Sequence, residues 1–312
     1  MKKFQNEINL QGYVYSIGGN GTIYRGTTGP ESKVPNTDYM TANINIATDE
    51  EGVNIVPVRF GFTTQFFKSG NENSNWAVLN EIENDNATWA EKGKEGAYKI
   101  RLTAQVGSNP FVDRNTGEIV DRPSINVNFA HPSNNGFNDS QRDTFKLDVL
   151  MIGYNIVESD DSEDFGRITG YAFDSFRKEM IPVTLVIRNA DGVKYFDTLD
   201  ISKAHPVLTN VWGTIKNTTI KTEHEIESAF GAPTVEYTTR SLREWVIDGC
   251  APNPMPFDDE STITAAEVKE CLANHQNVIA AAQARFEQRN AAPSAFNSGS
   301  SSTGQATTDF KF

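Results

Sequence analysis

Apolar and polar positions alternate with a period of two along the first strand-like run. Ile8, Leu10, Gly12 and Val14 fall on one face, and Asn9, Gln11, Tyr13 and Tyr15 on the other. The alternation returns at Met40, Ala42, Ile44 and Ile46, set against Thr41, Asn43 and Asn45. Asp49-Glu50-Glu51-Gly52 reads as a turn. The chain comes back through Val56, Val58, Phe60 and Phe62, which share an apolar face, while Arg59 points the other way. Trp76, Leu79, Ile82 and Trp89 predict one helix over 76–92, and strands follow over 98–106 and 125–129. The order then repeats. Strand-like runs over 145–157, 167–176, 180–188 and 211–219 form a second set. Within it, Asn189-Ala190-Asp191-Gly192 reads as a hairpin turn leading to a further strand over 194–201.

This pattern predicts a mainly β fold with two OB-like β-barrels in tandem, over 1–135 and 145–222. His131 to Asn138 reads as a linker, and Asp160-Asp161-Ser162-Glu163-Asp164 as a charged hairpin tip. Residues 223–290 form a docking segment and a C-terminal helix. Leu242, Trp245, Val246 and Ile247 supply enough apolar surface to dock a short element on a barrel. Pro252, Pro254 and Pro256 force an extended connector. Thr264-Ala265-Ala266-Glu267 is a capping box that opens the helix, whose apolar stripe is Val268, Leu272, Ile279 and Phe286. The remaining 291–312, rich in Ser, Gly, Thr, Ala and Gln, read as a disordered tail, because that composition buries too little apolar surface to fold alone.

Composition narrows the chemistry. The 312 residues carry a net charge of −13, distributed as −4 over 1–143, −2 over 144–222 and −7 over 223–312. The barrels are therefore close to neutral and can carry a local basic groove. Cys250 and Cys271 are too few for a disulfide framework and fit a reducing cytosol. No run approaches the roughly 18 apolar residues of a membrane span. The lysines near the N-terminus are not followed by the apolar region of a signal peptide. His131, His205, His224 and His275 lack metal-ligand spacing. Gly18-Gly19-Asn20-Gly21 lacks the lysine and following helix of a phosphate-binding loop, and there is no nucleophile elbow. These features argue for a binding protein with no cofactor, no metal and no catalytic residues.

Binding candidates are rings and cations beside strands. In the first barrel they are Tyr13 and Tyr15, Tyr24 and Arg25 in the adjoining loop, Arg59, Phe67 and Lys68 at a strand end, and Lys99 and Arg101 on one strand face. In the second they are Arg177 and Lys178 in the turn after Phe176, with Trp212 and Lys216 on the closing strand. Cations track phosphates and flat rings stack on bases, which together hold single-stranded nucleic acid of any sequence.

Three segments carry a family resemblance: Leu10-Gln11-Gly12-Tyr13-Val14, the hairpin over 40–62, and Val211-Trp212-Gly213-Thr214-Ile215 closing the second barrel. With them the chain resembles phage-type single-stranded DNA-binding proteins built from tandem OB-folds. The resemblance implies single-stranded DNA as partner, in replication or recombination, in the cytoplasm of a phage-infected bacterial cell. It also implies recruitment of replication or recombination proteins by the C-terminal tip. Here that tip, Asp309-Phe310-Lys311-Phe312, has one acid and one lysine in place of an acidic cluster. Two other classes fit the pattern less well: a phage virion or tail structural protein, and a carbohydrate-active enzyme on a β-sandwich.

Overall fold

The opening alternation becomes strand β1 (Asn6–Ile17) in the computed structural model, which describes residues 3–19, 21–32, 34–158, 163–226 and 234–291. Strand β2 (Tyr24–Thr27) lies on the outer edge of β3 (Asp38–Ala47), and β3 pairs antiparallel with both β1 and β4 (Ile55–Thr64). Helices α1 (Ser74–Asp85) and α2 (Trp89–Gly96) follow, then β5 (Lys99–Ser108). A two-residue pair, β6 (Phe111–Val112) with β7 (Ile119–Val120), sits in the loop before β8 (Pro123–Pro132). Strand β8 pairs parallel with β4 and antiparallel with β5, and β5 returns to β1. The ring is closed, with five strands and helices between the third and fourth. This is the Greek-key connectivity of an OB-like barrel.

The second set closes in the same way. Strands β9 (Asp143–Val157), β10 (Phe165–Asp174) and β11 (Glu179–Ile187) form an antiparallel meander. Helix α3 (Ala190–Asp197) leads to β12 (Val207–Ile226) and β13 (Thr234–Cys250). Strand β13 lies parallel to β11 and antiparallel to β12, and β12 returns to β9. Pairing of β1 with β9, from Asn6 opposite Leu147 to Leu10 opposite Asp143, joins the rings into one hydrogen-bonded sheet. One apolar core runs through both barrels, from Ile8, Leu10 and Phe60 to Phe145, Leu185 and Ile247. A smaller cluster of Phe4, Phe173, Met180, Ile263 and Cys271 docks helix α4 (Ala265–Ala291) on the second barrel. The capping box forms as the spacing predicts. Glu267 Oε2 accepts from the Thr264 N–H at 3.0 Å, and the Glu267 N–H donates to Thr264 Oγ1 at 3.2 Å.

Four expectations need correction. The single helix over 76–92 is two helices, because Asn86 adopts a left-handed conformation that ends α1. Asn189-Ala190-Asp191-Gly192 is not a hairpin turn but the start of α3. The Asn189 side chain accepts from the N–H groups of Asp191 and Gly192, so local capping outcompetes the Asp-Gly turn. Ser241 to Gly249 is not an appended docking element. It belongs to β13, the strand that closes the second ring, which therefore extends past residue 222. Phe62 leaves the core face for the reason given below. Residues 160–162 of the charged tip and residues 292–312 of the tail lie outside the described residues.

Candidate nucleic-acid interface

Two bulges shape the outer face of the first barrel. On β4 the register with β3 slips between Phe60 and Thr63, which pair with Ala42 and Met40, so β4 carries one extra residue there. Phe60 points into the core, Phe62 points out and is 53% exposed, and Thr63 is buried. On β8 the slip falls between Val127 and Phe129, which pair with Ala104 and Thr103. Phe129 is therefore turned outward, 54% exposed, and Ala130 takes the inward position. An extra residue reverses which side chains face the core, and strict alternation does not reveal it.

These rings join others. Tyr24, at 58% exposure on β2, lies 6.1 Å from Tyr39 on β3, and Tyr39 lies 4.7 Å from Phe62. Side-chain hydrogen bonding with Tyr24 pushes the Tyr39 phenol up. The row thus crosses three adjacent strands. At its end Phe62, Phe67, Phe129 and Phe176 rim an open recess of about 1270 Å³. Phe176 is 93% exposed at the tip of the β10–β11 turn, where Asp174 accepts from the backbone N–H groups of Phe176 and Arg177.

Arg59 sits on the same β4 face, opposite Asn43. It is half-buried, and its side chain has no hydrogen bond or ion pair among the described residues. Burial, then the fields of Arg177 and Arg285, push its guanidinium down. Arg177 of the β10–β11 turn and Arg285 of α4 thus both repel the Arg59 cation, which is unfavourable for Arg59 in the free protein.

The predicted residues divide. Tyr24, Arg59 and Phe67 lie on this face, with Lys68 exposed beside Phe67 and Arg177 beside Phe176. Lys216 lines a recess between the barrels that Arg59 also lines. Arg25 is occupied, with its guanidinium bonded to Glu83 and Asn80 and lying 5.5 Å from the Trp76 ring centre. Lys178 is paired with Glu270 at 3.5 Å. Arg101 is exposed on β5 between Gln11 and His131, outside the recesses. Trp212 lies on β12 opposite Lys146, packed over Gly249 and also away from the recesses.

Tyr13 is a correction. It is 7% exposed, although alternation placed it on the solvent face. Trp89 and Phe137 pack edge-on against its ring at 5.4 and 5.1 Å, and Lys94 and Lys99 lie 5.6 and 5.8 Å from its centre. Its hydroxyl donates to Glu50 at 3.0 Å. Tyr15 tilts against the same Trp89 at 6.0 Å. Helix α2 and the segment around Phe137 thus cover this side of β1, and Tyr13 and Tyr15 belong to that packing, while Lys99 is exposed on β5. Tyr39, Phe62 and Phe129 were missed, because the bulges that expose two of them have no signature in the chain.

Among the described residues no group of three or more His, Cys, Asp or Glu is arranged to hold a metal ion, and no helix is long and apolar enough to cross a membrane.

A family model described as YorF matches residues 5–285. No curated protein matches the chain by sequence. Similar solved structures include a deletion mutant of the single-stranded DNA binding protein from Thermus aquaticus. The TM-score is 0.47 at 10% identity, over 83% of this chain and 100% of that one. The wild-type protein from the same organism aligns with a TM-score of 0.45 at 10% identity, over 82% and 96%. At these values the likeness carries no functional weight.

Proposed function

This chain belongs to the YorF family, and we propose that it binds single-stranded DNA without sequence preference, holding the strand for replication or recombination. The observation that carries the reading is the pair of bulges that turns Phe62 and Phe129 to solvent near Arg59, whose side chain has no hydrogen bond or ion pair among the described residues. Leaving such rings half-exposed forgoes part of the roughly 1.5–3 kcal/mol that burial of a Phe supplies. A row of exposed rings with an arginine at its side is what base stacking and phosphate contact require. The location agrees: OB-folds bind oligonucleotides on the face of their second and third strands and the first connecting loop. Those elements are here β3, β4 and the segment holding Tyr24.

The acidity does not oppose this reading. Residues 1–143, which hold Tyr24, Tyr39, Phe62 and Phe129, carry only −4 of the −13 net charge. No bond chemistry is involved; preferential binding to single strands shifts the duplex equilibrium by mass action. Partner recruitment by residues 309–312 belongs to the same reading and rests on the sequence resemblance.

The test is a fluorescence titration with oligo-dT, beside a gel shift comparing single-stranded with duplex DNA. Saturable quenching that weakens with salt, with a preference for the single strand, supports the proposal. A protein that ignores oligo-dT and sediments as a large defined assembly fits a virion component and refutes it.

A further inference from the structure

The two barrels are placed so that their ligand faces share a wall. Strands β10 and β11 are the second and third of the second ring, the counterparts of β3 and β4. Their segments over 169–171 and 182–184 line a recess of about 650 Å³. The opposite wall comes from β4 and β8 of the first ring, including Arg59. This volume lies in the ordinary range for a small-ligand site.

Chemistry divides the recess into a floor and a rim. Val58, Ile125 and Val183 supply an apolar floor, and Tyr171 and Trp245 add rings. Four cations surround it: Arg59 and Arg122 from the first barrel, Lys216 and Arg243 from the second. None of the four side chains has a hydrogen bond or ion pair among the described residues. The acids that line the recess are already engaged. Asp121 bonds His275 at 2.9 Å, and Glu244 bonds Arg188 at 3.1 Å. Burial pushes the Asp143 and Asp248 carboxyls up, and the nearby Lys216 cation opposes that shift in both. A cationic rim whose side chains have no direct partner among the described residues, over an apolar floor, fits a base below and a phosphate above.

We infer that the recess between the barrels receives a nucleotide of the bound single strand, with Arg59, Lys216 and Arg243 contacting its phosphates, so that one strand runs continuously across both barrels. This rests on the reading of the first-barrel face as a single-strand site and adds a second segment to its path.

The experiment uses the full chain and oligo-dT of increasing length, with Lys216→Ala/Arg243→Ala as the variant. Both side chains are exposed, and their loss leaves the core untouched. The wild type should gain affinity with length until the oligomer spans face and recess. The variant should lose that late gain, on the order of tenfold, while short oligomers bind as before. Its salt slope on long oligomers should fall by about 1.4, at about 0.7 per lost single-strand contact. Lys216→Arg/Arg243→Lys should restore both. If the double-alanine variant keeps the wild-type length dependence and salt slope while Phe62→Ala weakens short oligomers, the recess is off the path and the first-barrel reading stands. If the wild type binds no oligomer of any length, both fail together.

Discussion

Phe60 and Phe62 are two positions apart on β4, and their truncation should have opposite consequences. Phe60 is fully buried, so Phe60→Ala leaves a cavity and should cost roughly 3–5 kcal/mol of stability. Phe62 already has 53% of its surface in water and touches Tyr39 at one side. Removing its buried half should cost about 1 kcal/mol, a fall in melting temperature of roughly 2–4 °C for a domain of this size. If Phe62 stacks on a base, Phe62→Ala should weaken oligo-dT binding by roughly 1–3 kcal/mol, or about 5- to 150-fold. Phe62→Trp should retain affinity, because stacking needs a ring and every base offers a π-face. The assay is a thermal melt and a fluorescence titration on the same preparation of each variant. A Phe62→Ala protein that melts near wild type and binds oligo-dT with wild-type affinity refutes the stacking role. One that unfolds as easily as Phe60→Ala refutes the outward placement itself, and with it the β4 bulge.

Arg59→Ala should lower the salt slope of oligo-dT binding by about 0.7. It should leave the melting temperature equal or higher, since it removes a desolvated cation facing Arg177 and Arg285; a lower melting temperature with an unchanged slope assigns Arg59 to the fold. Hydrogen bonds from Lys94, then Arg142, hold Glu50 down at about 2, against an ordinary value of 4.5. A depressed carboxyl stabilises the fold above its unfolded value and loses that contribution as pH falls through its folded value. Glu50→Gln should therefore cost about 1 kcal/mol at neutral pH after solvent screening. The deficit should close between pH 4.5 and 2, and a deficit constant with pH in denaturant titrations rejects the charged network. Tyr13→Ala should destabilise by on the order of 3 kcal/mol, whereas Tyr13→Phe loses only the Glu50 bond, about 1 kcal/mol. Tyr13→Phe should bind oligo-dT as wild type does, and a Tyr13→Ala protein that melts normally contradicts its burial under Trp89.

Much of the architecture was legible in the chain itself. Ile8, Leu10 and Val14 on β1, and Met40, Ala42, Ile44 and Ile46 on β3, occupy the core face that alternation assigns, because side-chain direction in a strand is a local property with a period of two. The repeated strand order foretold two barrels, and Thr264 with Glu267 marked the start of α4, because a capping box is closed within four residues. What the chain alone did not decide depends on partners distant in sequence. The bulges on β4 and β8 arise from mismatched residue counts against β3 and β5, so the exposure of Phe62 and Phe129 is set by the pairing. Tyr13 alternates outward as predicted, yet Trp89 and Phe137 arrive from elsewhere to cover it. The closure of the second ring through β13 rests on a parallel pairing with β11, Val186 opposite Val246, between residues 60 positions apart. The convergence of Arg59, Lys216 and Arg243 on one recess follows from how β1 pairs with β9 and sets the barrels against each other. Periodicity is written along one strand, whereas the interface is made where several strands meet, and only the folded chain brings those positions together.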